Sequence, residues 1–145
     1  QTCALPISDP PDYVCGPLTG GAFVAQLLAL ELNTAFLYSE RVVKGDEVLY
    51  PLPSTLSSNI QHKRVLVVDD AVNAGSAILK THRSLLEIGA IPVGFASILV
   101  KEETAMQISH QQNVPFYALT TLDRLLWEPN NCPLCTQNIP LTIFA

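Results

Sequence analysis

One stretch, Lys63 to Leu79, limits what this chain can become more than any other. It reads Lys-Arg-Val-Leu-Val-Val-Asp-Asp-Ala-Val-Asn-Ala-Gly-Ser-Ala-Ile-Leu. Val65 to Val68 is a continuous apolar run, too short for a helix, and it suits a strand covered on both faces in a parallel sheet. Two adjacent acids, Asp69 and Asp70, stop the run, and a loop of small residues containing Gly75 follows. From Ser76 onward, Ile78, Leu79, Leu85, Leu86 and Ile88 recur at helical spacing and predict an amphipathic helix.

A strand, an acid pair, a small-residue loop and a helix start have a chemical meaning in that order. The first N–H groups of a helix lack intrahelical partners and carry the positive end of the helix dipole. A phosphate monoester binds there if the loop lets it approach, and Ala74, Gly75, Ser76 and Ala77 are small enough to do so. Carboxylates repel phosphate, so Asp69 and Asp70 need another task. Accepting hydrogen bonds from vicinal ribose hydroxyls is the natural one. The stretch therefore predicts a site for a ribose 5-phosphate at the carboxyl end of a strand.

The rest of the chain alternates in the same manner. Asp12 to Cys15 reads as a short strand entering a glycine-rich turn, Gly16-Pro17-Leu18-Thr19-Gly20-Gly21, with a helix from Ala22 to Asn33. Such a turn before a helix is either a plain connection or a second anion site. Thr34 to Tyr38 is the next expected strand, and Val42 to Gln61 reads as loop and hairpin. Ala90 to Val100 is a strongly apolar strand, Glu102 to Gln112 a helix and Val114 to Leu119 a further strand. Thr120-Thr121 followed by Leu122 to Trp127 suggests a capped short helix, with Trp127 either packed in the core or stacked on a base. Strands alternating with helices predict an α/β fold with a doubly wound, mostly parallel sheet and helices on both faces.

With these residues in view, the chain resembles the type I phosphoribosyltransferases. Val-Leu-Val-Val-Asp-Asp-Ala-Val-Asn-Ala-Gly-Ser-Ala is similar to their 5-phosphoribosyl-1-pyrophosphate motif, and its Ala-Gly-Ser-Ala ending is close to the orotate phosphoribosyltransferase variant. The rival is a receiver domain of response regulators, whose first strand also ends in paired acids. A receiver needs a phospho-accepting Asp at the end of a later strand, and the next long strand here ends Val100-Lys101-Glu102. The resemblance implies transfer of ribose 5-phosphate from 5-phosphoribosyl-1-pyrophosphate to a nucleobase, orotate favoured, as in pyrimidine nucleotide biosynthesis. It implies Asn73 to Ala77 for the 5-phosphate and Asp69 and Asp70 for the ribose hydroxyls. Gly16, Pro17, Leu18, Thr19, Gly20 and Gly21 match the family's pyrophosphate loop, with Arg41 and Lys44 as basic partners. Mg2+ is the implied cofactor, bridging pyrophosphate and ribose oxygens, and a homodimer the implied assembly.

Two departures qualify the resemblance. Family members close a loop bearing basic residues over pyrophosphate, yet nothing basic stands between Lys44 and His62. Their hood, built from residues before the first core strand, is reduced or missing in a chain that starts at Gln1. The alternatives are thus a catalytically degenerate regulatory module that binds phosphoribosyl pyrophosphate, or a purine-type phosphoribosyltransferase.

Composition narrows the remainder. The 145 residues fit one domain, with residues 1–11 an irregular lead-in and 128–145 a C-terminal extension. With 48% apolar and 14% charged residues the chain is well cored rather than disordered. Its net charge of −5, without a Lys/Arg cluster, argues against nucleic acid as a partner. No apolar run approaches the length that spans a bilayer, and no signal peptide is recognisable. Four cysteines without a disulfide framework point to a reducing, cytoplasmic setting. Cys15 is expected at a buried strand end. Cys132-Pro-Leu-Cys135 is half a zinc site, which only another ligand set, such as a second chain, would complete. A Trp…Cys-Pro-Leu-Cys…Pro-Leu tail is also similar to that of some bacterial orotate enzymes.

Overall fold

A computed structural model describes residues 10–57, 59–122, 127 and 129–140. At its centre is β5 (Arg64–Val72), whose Val65, Leu66, Val67 and Val68 are fully buried. It pairs in parallel with β1 (Tyr13–Pro17) on one side and β6 (Ile91–Lys101) on the other. The outer strands are β2 (Ala35–Ser39) and β7 (Phe116–Leu122), giving a five-stranded parallel sheet in the order β2-β1-β5-β6-β7.

Side chains of a strand alternate between faces, and β5 uses that alternation to build two cores. Leu66 and Val68 pack with Val14, Ala96 and the alanines Ala25 and Ala29 of α1 (Gly20–Glu31). Val65 and Val67 point the other way. They join Phe95 with Ile78 and Leu85 of α3 (Ser76–Glu87) and Ile108 of α4 (Glu102–Gln112). Helices therefore cover both faces, which is why the central strand is apolar at every position from Val65 to Val68 rather than at every second one. The expected doubly wound sheet is present, and among the described residues antiparallel pairing is confined to the hairpin β3 (Val42–Lys44) and β4 (Glu47–Leu49). A short helix, α2 (Ser54–Ser57), leads from it towards buried Ile60.

Three local expectations need correction. Asp69 and Asp70 do not end their strand, because β6 is long enough to keep pairing as far as Val72↔Val100. The threonines Thr120 and Thr121 do not cap a helix. They and Leu122 lie in β7, held in register with Leu99, Val100 and Lys101, while residues 123–126 of that expected helix lie outside the described residues. Trp127 is 42% exposed and does not pack in the core.

The chain continues through a single 3-10 turn (Pro129–Asn131) into α5 (Pro133–Thr136). Among the described residues no helix is long and apolar enough to cross a membrane.

Candidate active site

The sheet order creates the site. From β1 the chain runs through α1 to β2 at one edge; from β5 it runs through α3 to β6 in the opposite direction. Neighbouring strands β1 and β5 thus form a switch point, and the loops leaving their carboxyl ends diverge to open a crevice. The glycine-rich loop after β1 forms one wall, and the acid pair with the loop after β5 forms the other.

These walls are in close contact. A Cβ on Gly20 would run into the Asp70 carboxylate, and one on Gly21 would sit 2.7 Å from Asp69 Oδ1. Gly16 is just as constrained, since its Cβ would strike the Gly21 carbonyl. Gly20 and Gly21 therefore stand where the carboxylates occupy the space a side chain would need, and Gly16 where the loop's own backbone does. The peptide between Leu18 and Thr19 is cis.

Both helices start with their amides uncapped by side chains. Thr19 at the N-cap of α1 and Gly75 at the N-cap of α3 make no side-chain cap, and neither first turn holds an acidic residue. The outward N–H groups of two dipoles are thereby left for an external anion. Gly75 adopts a left-handed conformation (φ 76°), and its missing Cβ would lie 2.6 Å from Ile108 Cδ1. The loop before it is tied down by Thr104, whose hydroxyl donates to the Asn73 carbonyl at 2.8 Å. Asn73, Ala74, Gly75, Ser76 and Ala77 are thus brought together as one turn at the crevice.

The two acids differ in environment. Asp69 is buried and Asp70 exposed. The Asp69 carboxylate accepts the Asp70 backbone N–H at 3.0 Å, and Asp70 Oδ1 accepts the Ala71 N–H at 2.8 Å. Burial, reinforced by the neighbouring Asp70 side chain, pushes the Asp69 carboxyl up from its ordinary 3.8 to about 7. Such a group favours a ligand that stabilises its charged form, by donating hydroxyls or by bringing a cation.

Arg41 leaves β2 two residues beyond Ser39, at the same carboxyl edge as the glycine loop, and is exposed. Lys44 lies at the end of β3 beside the hairpin turn, also exposed. Three supporting features escaped the sequence analysis. Ser39 and Thr81 share a buried hydroxyl hydrogen bond of 2.7 Å that joins the end of β2 to α3. Thr104 anchors the turn from Asn73 to Ala77, and its position in the first turn of a helix gave no hint of this. Beside Asp69 in register, Ser97 is buried, with no hydrogen-bond partner for its Oγ among the described residues. Cys15 is fully buried in β1 as expected, and burial pushes its thiol up to about 12.

Comparison with known proteins agrees with this fold. The phosphoribosyl transferase domain model matches residues 5–116. The chain belongs to the phosphoribosyltransferase family. It is 31% identical over 132 residues to an orotate phosphoribosyltransferase of Thermotoga maritima, covering 89% of this chain and 64% of that one. It is 28% identical over 130 residues to the orotate phosphoribosyltransferase of Chlorobium phaeobacteroides, covering 90% of this chain and 63% of that one. Among solved structures, the orotate phosphoribosyltransferase of Aeropyrum pernix superposes with a TM-score of 0.65 at 27% identity, over 77% of this chain and 61% of that one. An adenine phosphoribosyltransferase from Trypanosoma brucei reaches the same TM-score at 21% identity, over 88% and 62%; that likeness speaks for the fold alone. The chain therefore spans just under two thirds of the length of these relatives.

Proposed function

We propose that this phosphoribosyltransferase domain transfers ribose 5-phosphate from 5-phosphoribosyl-1-pyrophosphate to the ring nitrogen of a nucleobase, orotate first, and releases pyrophosphate. The observation that carries the reading is the pairing of two uncapped helix starts with one carboxylate pair at a single switch point. A sugar bearing phosphate at one end and pyrophosphate at the other fits that arrangement. The family membership and the orotate-type relatives support the same choice.

In this reading the amides from Ser76 to Ile78 and the Ser76 hydroxyl hold the 5-phosphate, with Asn73 and Ala74 shaping the turn. Asp69 and Asp70 accept the ribose hydroxyls and keep negative charge near the carbon where positive charge develops. The amides of Thr19 to Gly21 receive pyrophosphate, with Gly16, Pro17 and Leu18 setting the path of the loop (the Leu18 N–H donates to the Ser39 carbonyl) and with Arg41 and Lys44 as cationic support. No side chain acts as nucleophile, since positioning and charge carry the step. Among the described residues no cluster of three or more His, Cys, Asp or Glu exists to cage a metal. Asp69 and Asp70 nonetheless fit magnesium, which takes one or two carboxylates and completes its shell with water and substrate phosphate. When bound, it would neutralise charge on the departing pyrophosphate.

The outer face of α1 supports a homodimer: Phe23, Leu27 and Leu30 are 63%, 70% and 80% exposed on one helix. A cytoplasmic site of action completes the reading.

A second reading has its own observation. The stretch from Gly45 to Gln61 has no basic residue to close over pyrophosphate, which favours a regulatory module that binds the activated sugar without turnover. Pyrophosphate release measured with orotate, adenine and guanine, beside a calorimetric titration of phosphoribosyl pyrophosphate with magnesium, separates the two. Turnover with orotate is expected. Binding without release on any base establishes the module, release on a purine alone moves the assignment to the purine enzymes, and neither binding nor release refutes both.

A further inference from the structure

The segment Pro129 to Pro140 takes no part in the site described above, and its cysteines are left unexplained by it. Cys132 is the N-cap residue of α5, with extended backbone (φ −78°, ψ 120°), and Pro133 occupies the first helical position. Cys135 is the third residue of that turn. This is the relation in which the two side chains of a capping box meet across the start of a helix. Here two sulfurs take those places. The turn is closed by backbone hydrogen bonds of 3.1 Å from the Thr136 N–H to the Cys132 carbonyl and from the Asn138 N–H to the Cys135 carbonyl. Both thiols are free; Cys132 is half-buried and Cys135 exposed.

We propose that Cys132 and Cys135 form a reversible dithiol–disulfide site that exchanges with a small-molecule or protein disulfide. The Cys132 sulfur, as thiolate, attacks one sulfur of the incoming disulfide; that S–S bond breaks, and its other half leaves as a thiol after taking a proton from water. The Cys135 thiolate then attacks the Cys132 sulfur of the mixed disulfide, forming the Cys132–Cys135 bond and expelling the second thiol. Two electrons and two protons have passed from the protein to the oxidant, which ends as two thiols.

The order of attack follows from the local surroundings. The backbone N–H and thiol of Cys135 hold Cys132 below the ordinary thiol pKa, while Cys132 pushes Cys135 above it. Burial makes Cys15 a poor competitor. The spacing would also suit half a zinc site, but among the described residues no third His, Cys, Asp or Glu joins the pair, so closure on each other is the favoured chemistry.

The test treats the reduced chain with glutathione disulfide and follows the products by intact mass and peptide mapping. The expected product is a peptide with one Cys132–Cys135 disulfide and no glutathione on either of the two, whatever Cys3 carries, opened again by excess reduced glutathione. Cys135→Ser should stop with glutathione on Cys132, and Cys132→Ser should react at least about tenfold more slowly at neutral pH. Three results would overturn the proposal: a pair that stays reduced, two serine variants that react at equal rates, or a copurified zinc ion that protects both thiols until a chelator removes it. None of these depends on whether the crevice binds a sugar.

Discussion

Replacing Asp69 by asparagine should make the free protein more stable and the site worse at its task, and the two effects can be measured separately. The residue is only 9% exposed, and its carboxyl is raised from 3.8 to about 7. The folded chain therefore keeps a proton, between about pH 4 and pH 7, that the unfolded chain gives up. Stability contributed by this group falls as pH rises through that window and is fully lost above it. The full shift would amount to about 4 kcal/mol at roughly 1.4 kcal/mol per tenfold step, and water in an open crevice reduces it to about 1–3 kcal/mol. An asparagine at this position would match the neutral acid in shape and never ionise. Urea unfolding of both proteins from about pH 4.5 to 8.5 should show a stability gap that opens as pH rises, levels off above about pH 7 and favours Asp69→Asn by about 1–3 kcal/mol. In the same variant, losing a charged acceptor for a ribose hydroxyl should weaken binding of phosphoribosyl pyrophosphate by about 10- to 100-fold, or roughly 1.5–3 kcal/mol. A gap that does not change with pH, or one that favours the natural protein at about pH 8, would refute the account of Asp69 as an acid held buried for its ligand.

Two further outcomes follow from the geometry. Gly20→Ala, at the half-buried first residue of α1, drives a methyl group into the exposed Asp70 carboxylate, which can swing aside, so the unfolding free energy should stay within about 1 kcal/mol of the parent while measurable sugar binding in calorimetry is abolished; unchanged affinity would show that the loop and acids do not act together. His82, buried against Phe95 with ring centroids 5.1 Å apart, has its pKa lowered by burial. The unfolded chain then binds the extra proton, so stability is lost as pH falls below about 6.5, and His82→Leu should flatten that acid limb in thermal melts; a limb as steep as the parent's would count against it.

The sequence made some features plain and hid others for identifiable reasons. Glu102 to Gln112 was legible as a helix to the residue, because charged residues at its start and the Asn113-Val114-Pro115 break frame it. The strand at Val65 to Val68 was equally clear, since burial on two faces writes itself as an unbroken apolar run. The strand's continuation through Asp69 to Val72 was not. Those residues stay in the sheet through hydrogen bonds to β6, and pairing between distant strands leaves no local trace. Thr120 and Thr121 misled for a related reason: threonine serves both as helix cap and as strand residue, and registry with β6 decided the matter. The candidate site divides in the same way. Its small loops and acids stand out by residue type, whereas the Ser39–Thr81 bond and the contact of Gly20 with Asp70 join residues far apart in the chain.

The most direct measurement is a crystal of the full chain soaked with phosphoribosyl pyrophosphate and magnesium. The account predicts the 5-phosphate against the amides of Ser76 and Ala77, the ribose hydroxyls on Asp69 and Asp70, and pyrophosphate along Gly16 to Gly21. A bound sugar whose phosphate lies elsewhere, or whose hydroxyls leave both carboxylates untouched, would contradict it.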